Sequence, residues 1–258
     1  NPEKTFELTE GENTLIQSLA FSFINSPVLQ RHMNYIYDKG GIYKIFNGNL
    51  LYHGCIPTKE DGTFDDVYID GQYLSGWKYL KQVEDKVRKA FYCEVGSEEQ
   101  LNALDYCWYL WSGPKSPLFG KNKMTTFERY FIEDKATHKE HYNPYYYHIE
   151  DRDYCKSILK EFDLDINKSH IVNGHVPVKT HKGESPIKGG GILLVIDGGL
   201  SKAYHKSTGI GGYTLISNSN MMIIAEHRPF AEVVDSGFKI SPKITVVERF
   251  NKRVTVGE

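Results

Sequence analysis

The sequence predicts a mixed α/β protein in which helices dominate the first half of the chain and strands dominate the second half. Two observations support this prediction. Apolar residues recur at helical spacing through residues 14–24 and 74–92. Residues 192–196 form an unbroken apolar run, which is typical of a strand buried on both faces of a sheet. The predicted fold class is therefore α/β or α+β.

The first predicted elements are two helices and a hairpin. Helical spacing covers residues 12–38, and Ser26 before Pro27 is typical of an N-cap followed by a first-turn proline, so a second helix begins there. An Asn-Gly pair at positions 47 and 48 separates two short apolar segments, which predicts a tight β-hairpin.

Two longer helices follow a polar segment. We expect residues 57–70 to form a loop and residues 74–92 to form an amphipathic helix. Ser97 with a glutamine three positions later is a capping-box pattern, which predicts a helix that runs to Trp111. Residues 111–123 are irregular and rich in glycine and proline, and loops of this length inside compact domains are often functional.

The second half begins with a segment rich in tyrosine and histidine and ends in strands. We expect residues 138–148 to form a solvated surface segment, with a helix over residues 154–162 packed beneath it. Strands are predicted at residues 192–196, 213–217, 221–227, 244–249 and 253–256, with the last two paired to each other.

The composition excludes several classes of function. The net charge is −2 without a long basic run, so binding to nucleic acid is not supported. The apolar stretches are far shorter than the ~20 residues that cross a bilayer. The four cysteines lack Cys-x-x-Cys spacing, which argues against a disulfide framework or a thiolate zinc site and favours a cytoplasmic location. We expect Cys55 to be a small buried residue rather than a nucleophile.

Two histidines in matching contexts are the first candidates for a functional site. His53 and His175 each follow a short apolar segment, lie beside a glycine and precede a proline. A histidine at the end of a strand can offer a neutral imidazole nitrogen to a metal ion. A structural role is equally compatible with these residues. A two-metal site would also need bridging carboxylates, and no motif in the chain supplies them.

Basic residues near the irregular loop are the second candidates. Lys121, Lys123 and Arg129 carry ammonium and guanidinium groups that suit a phosphorylated ligand. The alternative is a solvated loop with scattered charges. Asp197 precedes two glycines and could form a turn or a backbone anion nest, but the spacing is not that of a Walker A loop or a dinucleotide-binding motif.

Four strings of the sequence together resemble one family. They are NLLYHGCIP, YLWSGPKSPLFGKNKMTTFERYF, NGHVPVKTHKGESPIKGGGILLVIDGGLSKAY and TGIGGYTLI. They are similar to the C-terminal part of class III fructose-1,6-bisphosphatase, the bacterial type built on the calcineurin-like metallophosphoesterase fold. The resemblance implies the C-terminal half of a β-sandwich flanked by helices. It divides the chain into a helical lead-in over residues 1–42, half of the catalytic domain over residues 43–230 and C-terminal strands over residues 231–258.

The resemblance also implies an incomplete metal site. Five motifs hold a dinuclear manganese site in such phosphatases, and this chain has only the fourth and the fifth, which contain His53 and His175. These histidines would ligate one ion, while Lys121, Lys123 or Arg129 would bind substrate phosphate. The bridging carboxylates and the general-acid histidine would lie upstream of Asn1. We therefore expect no catalytic residue in this chain, and we expect the isolated chain to be inactive.

The activity implied for the full-length parent is hydrolysis of the 1-phosphate of fructose 1,6-bisphosphate in gluconeogenesis. One alternative is a phosphatase of the same fold that acts on phosphoproteins or dinucleotides. Another is a non-catalytic structural or regulatory fragment. The expected partners are the sugar bisphosphate, the missing N-terminal part of the same protein and a second copy of the chain, because an uncovered sheet promotes self-association.

Overall fold

The computed structural model describes residues 3–4, 7–227 and 243–250. In these residues the helices are α1 Glu10–Ile24, α2 Pro27–Lys39, α3 Gly76–Tyr92, α4 Glu98–Ser112, α5 Thr126–Phe131, α6 Tyr145–His148, α7 Arg152–Glu161 and α8 His205–Thr208. The strands are β1 Tyr43–Phe46, β2 Asn49–Tyr52, β3 Val67–Ile69, β4 Gln72–Leu74, β5 Ile171–Asn173, β6 Ile187–Lys188, β7 Leu193–Val195, β8 Gly212–Ser217, β9 Met221–His227 and β10 Lys243–Arg249. The predicted mixed α/β class is confirmed.

The chain divides into two compact units, Asn1–Gly41 and Ile42–Glu258. The first unit contains α1 and α2. The side chain of Ser26 accepts a hydrogen bond from the backbone N–H of Leu29, and Pro27 occupies the first turn of α2, as predicted. Neither helix buries a residue within the described structure, so the apolar side chains of α1 remain exposed.

The second unit is organised around a five-stranded sheet in the order β1-β2-β5-β7-β6. Strands β2, β5 and β7 are mutually parallel, whereas the edge strands β1 and β6 run antiparallel to their neighbours. Every residue of β7 is buried, which confirms the strand predicted from the apolar run. The carboxyl ends of the three parallel strands therefore meet at one edge of the sheet.

Two tight hairpins use the same turn chemistry. Asn47 and Gly48 have φ angles of 51° and 68° and connect β1 to β2, as predicted. Asp70 and Gly71 have φ angles of 48° and 83° and connect β3 to β4. The loop predicted over residues 57–70 and the helix predicted from residue 74 are therefore wrong at their junction. The second hairpin occupies residues 67–74 there, and α3 begins only at Gly76.

The predicted solvated segment at residues 138–148 contains core residues instead. Tyr145 is fully buried, and its hydroxyl forms a 2.7 Å hydrogen bond with the hydroxyl of Tyr52. Its ring meets the ring of Tyr154 edge-on, and Tyr154 lies on α7. The prediction of a surface segment is wrong because pairing with other buried hydroxyls lets tyrosine enter the core. The helix predicted beneath the segment is confirmed as α7.

A three-stranded antiparallel sheet of β8, β9 and β10 completes the described structure. The strands predicted at residues 213–217, 221–227 and 244–249 are confirmed. The strand predicted at residues 253–256 lies outside the described residues. The division into residues 1–42, 43–230 and 231–258 stays a prediction, as does the half-sandwich architecture.

Helix α4 leaves an apolar stripe on its surface. Leu101, Leu104, Trp108 and Trp111 follow the spacing of one helix face, and each is exposed by about half or more. We call these four residues the α4 stripe. No helix among the described residues is long and apolar enough to cross a membrane. All four cysteines have free thiols, which agrees with the absence of a disulfide framework.

We predict that Tyr145→Phe lowers the free energy of unfolding by about 1–3 kcal/mol, because the hydroxyl of Tyr52 would stay buried without its partner. Urea-induced unfolding followed by circular dichroism measures this change. Tyr147→Phe is the matched control, since the Tyr147 side chain is mostly exposed, and it should change stability by less than about 0.5 kcal/mol. Equal stability of Tyr145→Phe and the unmodified chain would contradict the role of this hydroxyl pair.

Candidate functional site

The parallel pairing of β2 with β5 brings the two predicted histidines together. His53 follows the end of β2, and His175 follows the end of β5 by two residues. The Nδ1 atom of His175 lies 3.3 Å from the Nε2 atom of His53, and the two ring planes are nearly perpendicular at 85°. Two imidazoles separated by 122 positions in the sequence therefore form a pair at the sheet edge. We call them the histidine pair.

The backbone around the histidine pair is held by Asn173, which sequence reasoning did not single out. Its side-chain amide donates to the carbonyl oxygens of Tyr52, His53 and Gly54, at 3.3, 3.1 and 2.7 Å. The backbone N–H of Gly174 also donates to the carbonyl oxygen of His53 at 3.0 Å. An asparagine one residue before a glycine is a weak sequence signal. The carbonyl oxygens that accept from its amide lie about 120 positions earlier in the chain, and only the fold brings them near.

The irregular loop closes over the same strand ends. The N–H of Cys55 donates to the carbonyl oxygen of Pro117 at 2.8 Å. A Cβ atom at Gly54 would lie only 1.9 Å from that oxygen, so only glycine permits this approach. The carbonyl oxygen of Phe119 lies 2.9 Å from Nε2 of His175. The loop thus contacts the ring of His175 directly through Phe119. It contacts the chain just after His53 through Pro117.

The contact with Phe119 fixes the tautomer of His175. A carbonyl oxygen only accepts hydrogen bonds, so Nε2 must carry the proton and donate it. In the neutral ring Nδ1 then has a lone pair, and this atom faces Nε2 of His53. Burial lowers the pKa of His175, and the nearby positive charge of Lys121 adds to the decrease. The ring is therefore neutral at pH 7, with its lone pair turned towards His53.

His175 has an unusual backbone conformation. Its φ angle is 67°, in the left-handed region that only a few per cent of residues other than glycine adopt, asparagine, aspartate and histidine most often among them. The backbone turns sharply at this residue, two positions after the end of β5. From that turn the ring extends to the ring of His53. The cost of such a conformation is of order 1–3 kcal/mol, and strained residues of this kind cluster at functional sites.

The geometry of the histidine pair fits a shared metal ion. Two nitrogens bound to one ion at about 2.0–2.1 Å, with angles between about 90° and 110°, lie about 2.9–3.4 Å apart. The observed separation of 3.3 Å falls in this range. The carbonyl of Phe119 supplies the second hydrogen bond that metal-binding histidines commonly make. No group of three or more histidine, cysteine, aspartate or glutamate side chains in the described part of the chain could complete such a site.

The three predicted phosphate-binding residues belong to one internal network. Lys121 forms an ion pair with Glu140 at 2.8 Å, and Lys123 donates to the carbonyl oxygen of Thr137 at 2.8 Å. Arg129 donates to the Thr125 hydroxyl and to a backbone carbonyl, each at 3.0 Å. The structure therefore brings these residues near one another. Of the three, Lys121 is near enough to His175 to influence its charge. Their role in binding phosphate stays a prediction.

Glu140 organises this network, although the sequence did not indicate it. One carboxylate oxygen accepts from Lys121, and the other accepts from the backbone N–H and the hydroxyl of Thr125. The Lys121 contact is the main reason why the pKa of Glu140 falls from near 4.5 to about 2. The ammonium group of Lys121 also lies 5.4 Å from the centre of the Tyr142 ring. Lys121 is thus held beside the histidine pair by a carboxylate that stays ionised.

Two further candidates have structural roles. Cys55 is 1% exposed, and burial raises the pKa of its thiol to about 12, so the thiolate that a nucleophile requires is absent at neutral pH. The expectation of a buried filler is confirmed. Asp197 forms a turn, in which its carboxylate accepts from the N–H of Gly199 at 2.9 Å.

Fold and site together define a mixed α/β protein that brings a pair of imidazoles and a lysine to the carboxyl edge of a parallel sheet. The chain belongs to the Firmicute fructose-1,6-bisphosphatase family, whose model matches residues 1–258. This confirms the family resemblance of the four strings.

Individual relatives agree with this assignment. The chain is 48% identical over 257 residues to the protein named fructose-1,6-bisphosphatase class 3 of Clostridium botulinum (strain Kyoto / Type A2). It is 52% identical over 233 residues to the protein of the same name from Clostridium novyi (strain NT). These matches cover 98% and 90% of this chain, but only 38% and 35% of the length of those relatives. No solved structure matches the chain.

We predict that Glu140 stabilises the chain in a pH-dependent way. Its folded pKa of about 2 lies below the ordinary value near 4.5, so its contribution is complete above pH 4.5 and is lost as the pH falls towards 2. Because solvent reaches this ion pair and screens it, the full contribution is on the order of 1 kcal/mol. Urea unfolding at several pH values between 2.5 and 7 measures it.

The matched variants are Glu140→Gln and Glu133→Gln. Glu140→Gln should remove much of the loss of stability below pH 4.5, while Glu133→Gln, at an exposed position, should leave the pH dependence unchanged. Parallel pH profiles for both variants and the unmodified chain would show that the Lys121–Glu140 pair does not stabilise the fold.

Proposed function

We propose that this chain supplies part of the active site of a fructose-1,6-bisphosphatase that removes the 1-phosphate of fructose 1,6-bisphosphate, a reaction of gluconeogenesis. The observation that supports this most directly is the 3.3 Å approach of two imidazole nitrogens at the carboxyl edge of the sheet. Family membership and the names of the relatives support the substrate. Because the chain spans 38% of a relative's length, the complete reaction belongs to a longer protein.

The metal of the proposed site is manganese, in a dinuclear centre of metallophosphoesterase type. Nε2 of His53 and Nδ1 of His175 would hold one ion, and the contact with Phe119 keeps the second ring oriented. When bound, such ions polarise phosphoryl oxygens and lower the pKa of a coordinated water. Carboxylates and a general acid from another segment would complete the centre, because the described residues offer no third ligand.

Lys121 is the best placed of the three predicted cations to meet the scissile phosphate. Its positive charge lowers the pKa of His175, and it lies on the same loop as Phe119. Lys123 and Arg129 instead donate to backbone carbonyl oxygens, which holds the shape of the segment between residues 123 and 138. A lysine ammonium group attracts phosphate as a point charge, and the Tyr142 ring beneath it limits its positions.

Two binding partners are also proposed for the chain: the N-terminal part of the same protein and a second copy of the chain. The missing N-terminal part of the protein would bring the remaining metal ligands. Self-association of the isolated chain also stays a prediction. The α4 stripe supports both, because four exposed apolar side chains on one helix face form a surface suited to packing against another polypeptide.

In the full-length parent we predict that His53→Ala and His175→Gly each lower manganese-dependent release of phosphate from fructose 1,6-bisphosphate by at least about 1,000-fold, because one ion loses a ligand. Glycine is the better replacement at position 175, since it accepts the positive φ angle without strain. His181→Ala changes an exposed histidine of the same segment and should retain activity. Turnover close to that of the unmodified enzyme in either site variant would remove that histidine from the metal site.

A substrate panel separates the proposed activity from its alternatives. Fructose 1,6-bisphosphate should be hydrolysed in preference to phosphopeptides and diadenosine polyphosphates by the full-length parent. Preference for a phosphopeptide or a dinucleotide would replace the sugar bisphosphatase with one of the other phosphatases. Absence of hydrolysis from the whole panel would favour a non-catalytic role.

For the isolated chain we predict weak binding of manganese, because two imidazoles without carboxylates do not neutralise a divalent cation. Isothermal titration calorimetry should give a dissociation constant above about 100 μM, and His53→Ala should abolish the remaining heat. Tight binding of two ions per chain would show that the chain holds a complete centre by itself.

A further inference from the structure

A cavity of about 300 Å³ lies next to the histidine pair. Gly174 and Val176, the neighbours of His175 on either side, both line it. Tyr142, whose ring lies beneath the ammonium group of Lys121, lines it as well. The cavity therefore adjoins the backbone on either side of His175 and the ring that Lys121 covers, and its volume is at the lower end of the range typical for small-molecule sites.

The charges around the cavity leave one cation available. Lys188 is paired with Glu150, and the carboxylate of Glu184 accepts the backbone N–H of Lys179 at 2.8 Å. Lys179 is half-buried and lines the cavity, and its ammonium group has no acceptor among the residues that the structure describes. The lining thus combines tyrosines and carboxylates with one lysine that is able to take an anionic ligand.

We propose that this cavity receives the part of the substrate beyond the scissile phosphate, a phosphorylated sugar, and that Lys179 binds the distal phosphate. The inference rests on the proposed sugar bisphosphatase activity and adds a subsite to it. It adds a fourth basic residue to Lys121, Lys123 and Arg129, the three residues that the sequence predicts to bind substrate phosphate.

Three features support this placement. Lys179 follows His175 by four residues, so their Cα atoms are at most about 14 Å apart, which one small ligand can span with the help of the long lysine side chain. Tyrosine rings and carboxylates can contact the carbon skeleton and the hydroxyl groups of a sugar. The other candidate cations are engaged elsewhere: Lys123 and Arg129 bind backbone carbonyl oxygens, and Lys121 meets the scissile phosphate in the proposed function.

The test compares two substrates in the full-length parent. Fructose 1-phosphate differs from fructose 1,6-bisphosphate only in lacking the distal phosphate. Lys179→Met should lower kcat/KM for the bisphosphate about 10- to 100-fold, mainly through a higher KM, because a charged hydrogen bond to substrate is lost. The same variant should leave kcat/KM for the monophosphate unchanged. Lys179→Arg keeps the charge and should recover part of the loss.

Lys182→Met is the matched control, since Lys182 is exposed and lies on the same segment. It should behave as the unmodified enzyme with both substrates. An equal loss for the two substrates in Lys179→Met would show that this lysine acts on the scissile phosphate or on the fold, and would overturn the inference. Unchanged kinetics would overturn it too. If the unmodified parent hydrolyses neither sugar phosphate, the proposed function fails, and the subsite fails with it.

Discussion

The parallel alignment of β2 with β5 is the constraint on which the rest of the site depends. Parallel strands end at a common edge, so residues far apart in sequence meet there once the strands pair. Leu50 pairs with Ile171 and Leu51 with Val172, and this register sets His53 opposite the glycine before His175. A shift of β2 by one residue would move its buried side chains, Leu50 and Tyr52, to the opposite face of the sheet. Burial of the core therefore also fixes the separation of the two imidazoles.

Short polar contacts convert this alignment into a defined geometry. Asn173 joins the two strand ends with three hydrogen bonds, and Phe119 orients His175 from the loop. Glu140 does the same for Lys121 by fixing its ammonium group in an ion pair. Each functional side chain is thus held by a partner that takes no part in the proposed chemistry, and such support is what keeps a site in a productive geometry.

Local signals made much of the fold predictable. The proline after Ser26, the Asn-Gly turn and the apolar run of β7 each determine structure within a few residues, and each prediction from them is confirmed. Burial of Tyr145 could not be predicted, because it depends on the distant hydroxyl of Tyr52. Among the site residues, matching contexts singled out the two histidines. Glu140 and Asn173 could not be found in this way, since their importance comes from partners that only the fold brings near.

The α4 stripe has a practical consequence for the optical properties of the chain. The chain has three tryptophans, and two of them, Trp108 and Trp111, lie on this stripe and are exposed to water. Indole emits at longer wavelengths in water than in an apolar environment, so Trp108 and Trp111 emit at long wavelengths while the stripe is uncovered. Any polypeptide that covers the stripe would shift this emission to the blue, which gives a label-free signal for assembly.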